Sequence, residues 1–169
     1  MQAYLKNIVI DKSVRGLCVH PYPNHPKGCP NFGKRVTCPP QVRMIDEIFD
    51  ISRGFWIVWI DFDFKSHCDR MRRKHPDWSQ RQIECCLYWQ GTANKMLREV
   101  VADVSYYLAD RGNWQATYCP EAMGVNVTAT MNNLGIELEW PPKNIVRKVA
   151  LFGVRIKSNK TLLKDTKRY

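Results

Sequence analysis

Ten consecutive residues at positions 55–64, Phe-Trp-Ile-Val-Trp-Ile-Asp-Phe-Asp-Phe, constrain the fold of this chain more than any other segment. Their aromatic and β-branched density, unbroken by Gly or Pro, predicts a central β-strand. The run is continuously apolar through Ile60 and alternates from Asp61 onward, as in a strand that enters the core and then leaves it. Its six-residue apolar stretch is far too short to span a bilayer.

Weaker signals place the rest. A short strand is expected around residues 4–10. Residues 41–52 read as a helix that follows Pro39-Pro40, buries Val42, Ile45, Ile48 and Phe49 on one face and closes at Gly54. Residues 65–78 are polar and basic, and His75-Pro76 disfavours helix, so they read as a connector. Ser79 with Gln82 forms a capping-box pattern that opens the longest helix, with Ile83, Leu87, Met96, Leu97, Val100, Val101, Val104 and Leu108 continuing at helical spacing to Gly112. A further helix is expected from Pro120 to about Asn133, with Gly135 as its stop. Alternation predicts a strand at 136–140, Pro141-Pro142 turns the chain, and residues 149–156 predict another strand. The sum is an α+β fold, a small sheet packed against helices, as one domain over residues 1–169.

With 169 residues, 44% of them hydrophobic, and six Trp, the chain can build a core without cross-links. Seven cysteines, an odd number, fit poorly with a fully paired secreted framework. The first ten residues mix Lys6 into a short run without a cleavage pattern. A soluble cytoplasmic protein is therefore expected, with free thiols or metal sites rather than disulfides. The net charge of +10 is uneven: +6 over residues 1–43, −4 over 44–142 and +8 over 143–169. Such basic ends suit a nucleic acid or an anionic small molecule, or serve solubility alone.

The cysteines carry the chemistry. Cys18, Cys29 and Cys38 are separated by segments rich in Pro, Gly and Asn, which bend back and can bring thiolates onto one metal group. Pro30 and Pro39 follow two of the sulfurs, Gly28 and Gly33 allow close backbone approach, and Lys34 and Arg35 would offset the charge of a thiolate site. His20 and His25 lie between the first two cysteines and could replace a sulfur, which would favour zinc. Each precedes a proline, and a turn residue is the favoured reading.

The core Cys29-Pro-Asn-Phe-Gly-Lys-Arg-Val-Thr-Cys38-Pro-Pro40 resembles the cysteine motif of a prokaryotic family of predicted metal-binding proteins. Glu121-Ala-Met-Gly-Val-Asn-Val127 and Leu134-Gly-Ile-Glu-Leu138 are similar to a second stretch of that family. The resemblance implies a metal or iron–sulfur cluster held by Cys18, Cys29 and Cys38. The family's further cysteine-rich segment is reduced here to Cys119, so the fourth ligand is either Cys119 or an exogenous group. Cys119-Pro120 stands at an expected helix N-terminus, where backbone N–H groups would favour a thiolate.

Cys85 and Cys86 read as core or edge residues of the long helix, Cys68 as an exposed loop thiol, and His75 as no ligand. Asp61 and Asp63 share a strand face and could serve as an acid–base pair, but a solvated strand end facing Arg70, Arg72 and Arg73 is favoured. The expected protein carries a [4Fe-4S]-type cluster, with Lys34 and Arg35 contacting an anion. An open iron would suit an enzyme acting on a small or nucleic-acid-derived substrate, for example by desulfuration. The alternatives are a zinc-stabilised nucleic-acid-binding module without catalysis and an electron-transfer partner.

Overall fold

A computed structural model describes residues 1–22 and 25–156. Residues 157–169, which include much of the basic C-terminal segment, lie outside the described residues. Four strands, β1 (Gln2–Leu5), β2 (Phe55–Asp63), β3 (Trp114–Thr117) and β4 (Ile145–Val154), form one antiparallel sheet in the order β1-β2-β4-β3. The fold is α+β, as expected. β2 is a central strand, paired with β4 from Phe55 opposite Gly153 to Asp63 opposite Ile145. β3 pairs only with residues 151–154 of β4, ending where Thr117 faces Leu151. The chain turns away there, beside Cys119.

Because β2 is buried on both faces, two cores form. On one face Val58, Ile60, Phe62, Ala150 and Phe152 meet α2 (Phe64–Lys74), α3 (Gln80–Ile83) and α4 (Gln90–Leu108). Ala93, Leu97, Val101, Val104 and Leu108 form the buried stripe of α4 at steps of three and four, and each large apolar side chain in such a place stabilises by roughly 1.5–3 kcal/mol. On the other face Phe55, Ile57, Trp59 and Leu151 meet α1 (Ile45–Ile48), Met123, Val125 and α5 (Val127–Asn132).

Several expected boundaries are corrected. Residues 65–78 are no connector: Phe64, His67 and Cys68 bury one face of α2, Asp63 caps it by accepting the Ser66 N–H at 2.8 Å, and Pro76 ends it rather than preventing it. The long helix begins as expected, with Gln82 Oε1 accepting the Ser79 N–H at 2.9 Å, but it is bent. A 3₁₀ turn, Cys86–Tyr88, separates α3 from α4, because Trp89 turns its indole onto Phe62 and Phe64 and donates its N–H to the Glu84 carbonyl at 3.2 Å.

The expected helix over 41–52 is reduced to α1 and a 3₁₀ turn, Ile51–Arg53, since Phe49 leaves the helix to pack on Phe55. Gly54, at φ +63°, closes that turn. Residues 136–140 form no strand: Ile136 and Leu138 rest on the second core without a ladder. The helix expected from Pro120 is a 3₁₀ turn, Glu121–Met123, then Gly124 at φ +84°, then α5 capped by Asn126. Among the described residues no helix is long and apolar enough to cross a membrane.

Candidate metal centre

The cysteine loop is assembled by its own backbone. Asp11 caps the 3₁₀ segment Lys12–Val19, accepting the Ser13 N–H at 2.9 Å, and Cys18 stands near its end. The Cys29 N–H donates to the Cys18 carbonyl at 2.7 Å, which straps two cysteines eleven positions apart side by side. Gly28 permits this approach: its φ is +77°, and a Cβ there would meet the Cys18 oxygen at 2.7 Å. From Cys29 the chain winds through turns, the Gly33 N–H bonding the Pro39 carbonyl at 3.0 Å and the Cys38 N–H bonding the Arg35 carbonyl at 2.9 Å. Arg15 locks the far side, donating to the Val42 carbonyl at 2.7 Å and to Met44 Sδ at 3.0 Å.

Cys119 arrives from the other end of the sequence. The Asp11 N–H donates to the Gly124 carbonyl at 2.8 Å and the Asn126 N–H to the Val9 carbonyl at 2.8 Å, with Ile10 bridged to Val125. This short antiparallel zipper places the turn after Cys119 against the 3₁₀ segment that carries Cys18.

Electrostatic coupling describes the resulting cluster. Burial, then the charges of Cys29, Cys38 and Glu121, push the Cys18 thiol up, with Arg15 opposing. Burial, then Glu121 and Cys38, push Cys119 up, while Lys148 and Arg35 oppose. The expected lowering of Cys119 at a helix N-terminus is not what the structure gives, because the three-residue turn there supplies little dipole and burial outweighs it.

Glu121 opens the 3₁₀ turn after Pro120, and burial pushes its carboxyl up. Lys148, on β4 opposite Ile60, is lowered by burial and supported by Glu121, Cys119 and Cys86. Tyr22 is raised by burial and then by Cys29, Cys86 and Cys18.

Of the predicted quartet Cys18, Cys29, Cys38 and Cys119, each half-buried and none in a disulfide, the structure straps Cys18 to Cys29, and the segment that carries Cys18 lies against the turn that follows Cys119. Arg35 reaches it electrostatically, whereas Lys34 is exposed on the loop and spends its backbone N–H on Asn31. Among the described residues no group of three or more His, Cys, Asp or Glu is gathered closely enough to hold one metal ion.

Three members escaped the sequence reading. The sequence pattern places Cys86 in a continuous helix, whereas the structure sets it at the start of a 3₁₀ turn, coupled electrostatically to Tyr22 and Lys148. The adjacent Cys85-Cys86 pair was the available signal. Glu121 was noted only within a motif, and Lys148 sits in a strand whose pattern carries no functional mark.

His25 stays near the loop cysteines, through Tyr22, whereas Cys68, Asp61 and Asp63 go elsewhere. His20 is exposed, and His25 stacks on Tyr22 with centroids 4.5 Å apart. Cys68 is no loop thiol but is buried in α2 at 8% exposure. Asp61 and Asp63 form no acid–base pair. Asp61 is held by Arg147, Nε to Oδ1 at 3.1 Å and Nη2 to Oδ2 at 3.3 Å, and Asp63 is the cap of α2.

No protein-family model, no curated protein and no solved structure matches this chain.

Proposed function

We propose that this chain is an iron–sulfur protein that holds a [4Fe-4S]-type cluster on Cys18, Cys29, Cys38 and Cys119. The observation that carries the reading is the backbone that strings the sulfurs together: the Cys29 N–H donates to the Cys18 carbonyl at 2.7 Å, and residues 9–11 pair with 124–126, setting the turn after Cys119 against the segment that carries Cys18. Thiolates set close together repel one another and so favour a cationic group, whose binding releases the thiol protons. One zinc would hold each sulfur about 2.3 Å from its centre, whereas a cluster fills the space between more widely set thiolates with its own iron and sulfide.

Lys148, Arg35 and Glu121 edge this neighbourhood and supply both charges to an anionic small molecule or nucleic-acid-derived substrate. Four thiolates leave no open iron, so desulfuration belongs to the alternative in which Cys119 is not a ligand and one iron is open to substrate.

Anaerobic purification followed by iron, sulfide and zinc determination tests the proposal. Brown protein with about four irons per chain that bleaches on reduction is the expected result. Colourless protein holding one zinc overturns it in favour of the zinc-stabilised module. Cys119→Ala should lose the cluster; retention would move the fourth position to an exogenous group.

A further inference from the structure

The outer face of α2 carries Arg70, Arg73 and Lys74, all exposed, and Arg81 follows on α3. None of these four makes an ion pair among the described residues, whereas Arg72 beside them is held by Asp69 at 3.6 Å and by Gln80 at 2.7 Å. Favourable placement at a helix C-terminus accounts for cations in the last turn of α2. It does not account for Arg81, nor for the aromatic rings at the end of α2 and in the turn after α3.

Those rings form a pile. His75 stacks on Trp78 with centroids 3.9 Å apart and planes at 8°, and Trp78 lies against Tyr88 at 5.0 Å and 36°. Backbone hydrogen bonds fix the pile, Trp78 N–H to the His75 carbonyl and Tyr88 N–H to the Cys85 carbonyl, each at 3.1 Å. Trp78 is partly buried against the first core, so the pile is anchored. Its outer member is open: Tyr88 is 50% exposed and the neighbouring Leu87 is 84% exposed. A rigid ring with a free surface, carried on the same run of short elements as unneutralised cations, is complementary to a chain that alternates phosphates with flat bases.

We propose that the C-terminal half of α2, with the His75–Trp78–Tyr88 pile, binds single-stranded nucleic acid. Arg70, Arg73, Lys74 and Arg81 contact phosphates, and Tyr88 stacks a base. This surface differs from the basic chain ends and does not rest on the metal reading.

Fluorescence anisotropy with a short labelled oligouridylate, the matching oligothymidylate and a duplex of equal length, across a series of salt concentrations, tests the proposal on the full chain. Binding of either single strand in preference to duplex is expected, with tighter binding of one strand identifying it as RNA or DNA. Arg70→Ala/Arg73→Ala/Lys74→Ala should weaken binding at least about tenfold and flatten the slope of log affinity against log salt by about 2.

Tyr88→Ala should cost roughly five- to a hundredfold with the salt slope unchanged, and Tyr88→Phe should restore binding. Circular dichroism of each variant reports folding, and the fully exposed single change Arg73→Glu replaces the triple variant if that one does not fold. No binding by the wild type, preference for duplex, or wild-type affinity in the charge variants overturns the proposal.

Discussion

The carbonyl oxygen of Cys18 accepts the Cys29 N–H at 2.7 Å, and a Cβ on Gly28 would stand at the same 2.7 Å from that oxygen. The strap between the first two cysteines therefore depends on a residue without a side chain. The Val19 backbone, at 2.8 Å, closes the space from the other side.

Gly28→Ala is thus expected to open this strap. Backbone atoms cannot yield as a flexible side chain would, and φ of +77° adds a cost of roughly 1–2 kcal/mol for any residue with a Cβ. Iron retained after anaerobic reconstitution should fall sharply, while the far-UV circular dichroism spectrum, dominated by elements outside the loop, stays near that of the wild type. Gly33→Ala is the comparison, because a Cβ there meets nothing within 4 Å although its φ is also positive.

Lys148 opposes the upward push on the Cys119 thiol. Lys148→Met removes that support, so Cys119 should need a higher pH to form thiolate. Alkylation of Cys119 in metal-free protein, followed by mass spectrometry across pH, should shift its midpoint upward. An unchanged midpoint would mean that the lysine charge does not reach the sulfur.

His67 is 5% exposed, lies beside Phe62 and Phe64, and has an Nε2 without a hydrogen-bond partner among the described residues. Burial first, and Arg70 second, hold its pKa below 6.5. The unfolded chain accordingly takes up a proton before the folded one does, and stability falls as pH drops through about 6.5 toward the lower folded value. His67→Phe, which keeps a ring in the aromatic packing, should flatten this limb of a urea-denaturation profile measured against pH.

Glu139 organises the turn before β4, accepting N–H groups of Lys143 at 3.0 Å and Asn144 at 2.8 Å. These bonds, with the Asn144 side chain, lower its pKa to about 2 from 4.5. Its contribution is present above pH 4.5 and is lost as pH falls toward 2, the opposite member of the pair from His67 in chemistry but the same in direction. The stability difference between wild type and Glu139→Gln should shrink over that interval, and a constant difference would sink the assignment.

Local signals were legible wherever a few neighbouring residues decide the outcome. The apolar run of β2, the Ser79–Gln82 cap, the stripe of α4, the stop at Gly135 and the turning character of the cysteine loop all follow from side-chain shape and backbone freedom within one or two turns of chain. The same local rules misjudged α2, where burial of Phe64, His67 and Cys68 outweighs a polar composition, and residues 136–140, where alternation without a ladder partner makes no strand.

By itself, then, the sequence determined the central strand, the buried stripe of α4 and the turns that surround the three loop cysteines. Only the tertiary structure decided what stands beside them. The zipper of residues 9–11 with 124–126 sets the turn after Cys119 against the segment that carries Cys18, Trp89 packed on Phe62 breaks the long helix at Cys86–Tyr88, and β3 ends at Thr117 just before Cys119. Each of these depends on pairing between residues far apart in the chain. No periodicity or spacing encodes such pairing, because its energy exists only once the sheet and its two cores have formed.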